Sequence, residues 1–134
     1  RGLGDVYKRQ IICYEITDGL KIQNAVQDGS KFILAIANLD PYPSRIFNQY
    51  LSLVRMRSIE NNIDTVIASN TGPSGLIRND GRIDKLMESN KEDNQVVYAN
   101  LSNNKTFYTK YGILPLLITF IFLSIYINYS ENIK

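Results

Sequence analysis

Gln10-Ile11-Ile12-Cys13-Tyr14-Glu15-Ile16 is an apolar run that holds the only cysteine of the chain, with a carboxylate two residues later. Its β-branched content from Gln10 to Tyr14 predicts a buried strand. Lys31-Phe32-Ile33-Leu34-Ala35-Ile36-Ala37 is a second, nearly continuous apolar run, and its length fits a strand covered on both faces. Between the two, Thr17 or Asp18 can cap a short helix with Leu20, Ala25 and Val26 on its inner side and Gly29 as its stop. Strand, helix, strand in so short a span is a βαβ-like unit, so the class is α/β. A lone Cys in an apolar strand is most often an inert core residue, and the local residues leave that alternative open.

Working outward, Asp40-Pro41-Tyr42-Pro43-Ser44 is a rigid turn, because each proline fixes its own φ and restricts its predecessor. Ser44 reads as the N-cap of a longer helix to about Asn61. In that helix Phe47, Tyr50, Leu51, Val54 and Ser58 recur at three- and four-residue steps, while Arg45, Arg55 and Arg57 fall elsewhere. Arg57 and Glu60, three apart, are expected to pair. Thr65-Val66-Ile67-Ala68-Ser69 is a further strand, and Leu76-Ile77-Arg78 and Arg82-Ile83 flank Asn79-Asp80-Gly81 as a hairpin. Asp84 to Gln95 is a polar excursion, and Val96-Val97-Tyr98-Ala99 a last strand.

The two ends of the chain read differently. Residues 1–10, with Asp5-Val6-Tyr7-Lys8-Arg9-Gln10, look like a translated sequencing adapter and are expected to be a non-native leader. Residues 11–105 are then the partial globular domain. Tyr111 through Ser130 carry no charge; at 1.5 Å per residue they reach about 30 Å, a bilayer's hydrocarbon thickness, so 111–130 is expected to be a transmembrane helix. Tyr108 and Tyr111 at one end and Tyr126 and Tyr129 at the other fit interfacial belts.

Composition excludes several function classes. The chain has 134 residues, 44% of them apolar, which is room for one domain. A net charge of +2, without a basic stripe interleaved with aromatics, gives no sign of a nucleic-acid partner. One cysteine excludes an internal disulfide, and the absence of histidine removes the commonest general base and metal ligand. No metal and no cofactor are expected, and any catalysis must run on carboxylates, lysine or the thiol.

Ile12-Cys13-Tyr14-Glu15, Ala37-Asn38-Leu39-Asp40, Arg55 to Asn61, Ser69 to Gly75 and Thr106 to Gly112, in that order, resemble the carbon–nitrogen hydrolase (nitrilase) superfamily and, within it, the membrane-bound apolipoprotein N-acyltransferases. Ile12-Cys13-Tyr14-Glu15 is similar to the Ile-Cys-Tyr-Glu segment that carries that superfamily's nucleophile. Ala37-Asn38-Leu39-Asp40 falls where the family has an Asn-Leu-x-Asn loop. Arg55-Met56-Arg57-Ser58-Ile59-Glu60 looks like its Arg-x-Arg-Ala-x-Glu helix, and Ser69-Asn70-Thr71-Gly72-Pro73-Ser74 like its Asn-Thr-Gly-x-Ser-Ala turn. Thr106-Phe107-Tyr108-Thr109-Lys110-Tyr111-Gly112 is similar to the Thr-Leu-Tyr-x-Arg-Tyr-Gly that precedes the acyltransferases' last membrane helix. The sequence departs from the pattern at Asp18-Gly19, where Phe-Pro is frequent, and at Asp40-Pro41-Tyr42, which replaces an Asn-Asp-x-Trp-Phe loop.

The resemblance implies the C-terminal part of an α-β-β-α sandwich followed by one transmembrane helix. It implies Cys13 as nucleophile, which must be used as thiolate, the backbone N–H of Tyr14 as oxyanion donor and Glu15 as active-site support. Asn38, Asn70 and Ser74 are the implied substrate-binding residues, although turn-forming Asn and Ser are common. The superfamily's Glu base and Lys lie upstream of the cysteine, so this segment is expected to be inactive by itself. The implied partners are a phospholipid acyl donor, an apolipoprotein acceptor and the membrane. The implied location is the bacterial cytoplasmic membrane with the catalytic domain outside, although Lys105 and Lys110 before the span favour the reverse by the positive-inside rule. A soluble-type amidase acting on small C–N bonds and a non-catalytic anchored domain are the alternatives. A half-sandwich would leave one apolar sheet face without a partner and is expected to fold poorly alone.

Overall fold

β1 (Lys8–Ile12), β2 (Phe32–Ala37) and β3 (Asp64–Ser69) run parallel, and β4 (Ser74–Ile77) and β5 (Ile83–Met87) extend the sheet antiparallel in the order β1-β2-β3-β4-β5. The structure, a computed structural model, describes residues 7–87, 89 and 94–132. Two successive crossovers between parallel neighbours carry α1 (Gly19–Gln27) and α2 (Ser44–Asn61), which pack against each other over the sheet. The expected βαβ unit is therefore present, and a second one shares its middle strand.

The core lies between one face of the sheet and the helices. Ile11, Ile33, Ile67 and Ile77 from the sheet meet Ile22, Val26, Tyr50 and Val54 from the helices, all buried. Burying one such isoleucine contributes about 1.5–3 kcal/mol. Alternation puts Phe32, Leu34 and Ile36 of β2 and Val66 of β3 on the opposite face, where they are only half-buried. Among the described residues no second sheet covers them, so one α-β half of the expected sandwich is present.

Several boundaries differ from the sequence expectation. β1 begins at Lys8, inside the expected leader, and ends at Ile12 instead of Tyr14, because Cys13 turns the backbone to φ 49°; residues 1–6 lie outside the described residues. In α1 the inner residues are Ile22, Gln23, Ala25 and Val26, whereas Leu20 is exposed. Pro43, in extended backbone, occupies the cap of α2 and Ser44 is its first helical residue. Arg57, expected outside, is buried because its guanidinium donates to carbonyl oxygens as well as to Glu60. Part of the expected excursion is β5, and residues 88 and 90–93 lie outside the described residues. Val96 to Ala99 form no strand; the Val96 and Tyr98 carbonyls accept from Lys85 and Arg78 side chains instead of from a neighbouring strand.

The C-terminal run also departs from expectation. α3 (Phe107–Tyr111) stops at Gly112, whose φ of 58° and ψ of −136° break the helix, and α4 (Leu114–Asn132) starts afresh. Among the described residues no helix is long and apolar enough to cross a membrane. The uncharged part of α4, Leu114 to Ser130, reaches about 25 Å at 1.5 Å per residue, against about 30 Å of hydrocarbon. The expected span over 111–130 thus loses its first residues to Gly112. α4 is nonetheless apolar all round, and its side chains up to Ser130 are exposed except at Pro115.

Candidate active site

The carboxyl ends of parallel strands are where α/β sheets bind ligands, because the loops leaving them converge there. β1, β2 and β3 end at Ile12, Ala37 and Ser69, and the residues that follow them are Cys13, Asn38 and Asn70. The register aligns Ile12 with Ile36 and Ala37 with Ser69, so the three share one rim of the sheet.

Cys13 opens a 3-10 turn (Cys13–Thr17). A non-glycine residue at φ 49° is strained, and strain of this kind is held only where the surroundings over-determine it. Contacts made by Glu15, Lys21 and Arg57 do so. The Ile12 N–H donates to Glu15 Oε2 at 2.9 Å, closing the turn around Cys13. Lys21 forms an ion pair with the other Glu15 oxygen. At the far end of the turn, Arg57 Nε donates to the Ile16 carbonyl at 3.0 Å and Nη2 to the Thr17 carbonyl at 2.8 Å. The Lys21 hydrogen bond, and next that of Ile12, hold the Glu15 carboxyl below the usual carboxylate range.

The Cys13 side is partly exposed and opens on a cavity of about 90 Å³. Its walls are mainly apolar: Ile16, Leu39, Ile46 and Leu53, with Tyr14, Tyr42, Gln49 and Tyr50. The Tyr14 and Tyr42 rings meet edge to face at 6.4 Å across its mouth. Tyr50 is 6% exposed, and no group among the described residues accepts a hydrogen bond from its hydroxyl. Burial, and secondarily the charge at Cys13, push that hydroxyl up to about 12. The arrangement presents a thiol on a constrained turn beside an apolar recess.

The other sequence-indicated residues tie the rim together. Asn70 Nδ2 donates to Asn38 Oδ1 at 2.6 Å, and Asn70 Oδ1 accepts from Leu39 N–H at 3.0 Å. Asn38 Oδ1 also accepts from Asp40 N–H. Ser74 Oγ accepts from Ser69 N–H at 2.9 Å. Asn38 and Asn70 thus clasp each other and set Leu39, which walls the cavity, but neither they nor Ser74 line it. Tyr50, Tyr42 and Gln49 were not read from the sequence as site residues; Tyr50 was legible only as a position on the inner face of α2. Among the described residues no group of three or more acidic or cysteine side chains is placed to hold a metal ion.

Comparison with known proteins bears on this geometry. No protein-family model matches the chain. It is 58% identical over 112 residues to an apolipoprotein N-acyltransferase of Prochlorococcus marinus subsp. pastoris, covering 84% of this chain and 23% of that protein. Proteins of the same name are similar in Prochlorococcus marinus strain SARG, at 41% identity over 79% of this chain and 22% of the relative, and in strain MIT 9313, at 34% over 90% and 24%. The chain therefore spans about a quarter of the length of the curated relatives it matches. Among solved structures, Saccharomyces cerevisiae Nit3, of the nitrilase superfamily, superposes with a TM-score of 0.57 at 14% identity over 63% of this chain and 34% of that one. A CN-hydrolase superfamily protein of Xanthomonas campestris gives 0.53 at 20% identity over 63% of this chain and 37% of its own. These two likenesses are of fold: mixed α/β, nitrilase-like.

Proposed function

The chain belongs to the apolipoprotein N-acyltransferase family, and from that premise we propose that it carries the nucleophile-bearing segment of an enzyme that moves an acyl chain from phospholipid to the N-terminal amine of a lipoprotein. The observation that supports this reading best is Cys13 itself. It stands on the carboxyl rim of the parallel strands, at φ 49°, half open to an apolar recess. An inert core cysteine has no need of that strain.

In the first half-reaction the Cys13 thiolate attacks the carbonyl carbon of a phospholipid ester. A C–S bond forms, the ester C–O bond breaks, and the lysophospholipid alcohol leaves with a proton. In the second, the acceptor amine attacks the thioester carbonyl; a C–N bond forms, the C–S bond breaks, and the amine's proton returns to sulfur. The carboxylate that relays these protons, a Glu, and its companion Lys belong to the part of the family's length that this chain does not span. Tyr14 N–H, at the start of the turn, is the backbone donor to the developing oxyanion. Glu15 supports the site by holding Cys13 in the turn through Ile12 N–H. Asn38, Asn70 and Ser74 shape the loops that receive substrate.

α4 is the membrane-facing element. A helix apolar on every side and exposed is stable only against other apolar matter, and acyl chains are the matter this reaction supplies. It holds the Cys13 rim near a bilayer that provides the acyl donor, with the domain on the extracytoplasmic side of the bacterial membrane.

The test uses a full-length family member carrying this segment and a phospholipid labelled in its acyl chain. Label is expected on Cys13 as a hydroxylamine-sensitive thioester, chased by a lipopeptide with a free N-terminal amine. Absence of label, or label undiminished by Cys13→Ala, refutes the reading.

A further inference from the structure

The Tyr50 hydroxyl is the one buried polar group around the Cys13 recess that the chemistry above leaves without a role. It sits on the inner face of α2, 6% exposed, and among the described residues nothing accepts from it. Tyr50 walls the same recess as Cys13; the lining is mainly apolar, and the polar side chains there, Thr17 and Gln49 among them, do not pair with the Tyr50 hydroxyl. A buried hydroxyl without an acceptor is unfavourable, and a phenyl ring would fill the same space without that cost. The hydroxyl is accounted for if its acceptor arrives with the substrate.

We propose that Tyr50 Oη is a catalytic hydrogen-bond donor to the acyl carbonyl oxygen of the ester or thioester at Cys13, a side-chain partner to the Tyr14 N–H. This rests on Cys13 being the acylated nucleophile. When sulfur attacks, the carbonyl π pair moves onto oxygen; Tyr50 donates to that oxyanion and keeps its proton. When the leaving C–O or C–S bond breaks, the pair returns to re-form the carbonyl. Tyr50 lines the recess while its hydroxyl is itself buried, so a side-chain rotation of the kind common on ligand binding is required to bring the hydroxyl to the acyl oxygen. The hydroxyl stays protonated across the physiological range, so it acts as a donor and never as a base.

The experiment compares wild type and Tyr50→Phe of a full-length family member carrying this segment. Single-turnover acylation of Cys13 is followed with acyl-labelled phosphatidylethanolamine. Tyr50→Phe is expected to slow acylation about 100-fold, with KM for phospholipid unchanged and the melting temperature equal or higher. A ¹³C-carbonyl acyl group adds a spectroscopic readout: the wild-type thioester carbonyl stretch lies below that of a free thioester in an aprotic solvent, and Tyr50→Phe raises it. Acylation of Tyr50→Phe at the wild-type rate overturns the assignment. So does a wild-type carbonyl stretch at the free-thioester frequency, or a loss of rate that comes with a lower melting temperature and a raised KM. No label on wild-type Cys13 overturns instead the nucleophile reading beneath it.

Discussion

Arg57 holds Ile16 by its backbone: Nε donates to the Ile16 carbonyl oxygen at 3.0 Å, and the neighbouring Nη2 reaches the Thr17 carbonyl at 2.8 Å. A residue of α2 thereby fixes the far end of the turn that begins at Cys13. The third nitrogen of the guanidinium, Nη1, meets Glu60 at 2.6 Å, so each nitrogen of this buried cation has a partner.

Lysine cannot reproduce that fork, since it offers a point charge in place of planar donors. Arg57→Lys is expected to cost about 1.5–3 kcal/mol, the range for hydrogen bonds to charged groups. It should also slow Cys13 acylation more than it raises KM. Thermal melting and single-turnover kinetics on the same preparation check both.

Gly19 lies under the same guanidinium. A Cβ built on it comes 2.6 Å from Arg57 Nη1, closer than side chains pack. Gly19→Ala is expected to cost about 1–3 kcal/mol by overpacking. In an Arg57→Ala background the same change should cost much less, and a double-mutant cycle reads the difference.

Cys13 at φ 49° makes an unusual prediction about removing the thiol. Glycine takes that conformation freely, whereas alanine retains the strain. Both Cys13→Gly and Cys13→Ala are expected to abolish acylation, but the glycine variant should be the more stable by up to about 1 kcal/mol. Urea midpoints at matched slopes test it; an alanine variant more stable than the glycine one contradicts the strain.

Glu15 gives a pH dependence. Its carboxyl is held below the ordinary value of 4.5, first by Lys21 and then by Ile12 N–H. A depressed folded-state value means the stabilisation is fully present above about 4.5 and is lost as pH falls through the lower folded value. Glu15→Gln should therefore narrow its stability gap to wild type as pH drops below 4.5, with little change in its own acid limb. Melting temperatures between pH 3 and 7 decide it.

α4 should seek lipid as an isolated element. A peptide spanning residues 105–134 is expected to bind anionic or zwitterionic vesicles and turn helical there, as circular dichroism reads. Ile118→Lys with Phe122→Lys, both at exposed positions of the helix, should abolish the binding.

Much of this architecture was readable in the amino acids. The run Phe32–Ala37 and the Asp18 cap specify strand and helix by local chemistry alone, and Asp18 does accept from Lys21 N–H at 3.0 Å. Cys13 was picked out by its flanking residues, but its turn was not, since Ile11, Ile12 and Tyr14 favour continued strand and the closing contacts come from Glu15 and Arg57. Arg57 defeats helical periodicity, which counts charge as outward, because two backbone carbonyls from another element satisfy it inside. Val96 to Ala99 is the opposite case: it has strand propensity, but its Val96 and Tyr98 carbonyls are taken by the Lys85 and Arg78 side chains. Tyr50 looked like ordinary core, because its hydroxyl's lack of a partner exists only in three dimensions.

α3 is stapled by polar groups to both α1 and α2: Gln23 reaches the Thr109 carbonyl at 3.1 Å, and Thr109 Oγ1 reaches Asn61 Oδ1 at 3.1 Å. Immediately beyond it, the bend at Gly112 leads into α4. Any displacement of α4 is then borne by this staple, and through α2 it reaches Arg57, which holds the far end of the Cys13 turn. Load on the tail and the posture of the thiol are thereby linked through one chain of contacts.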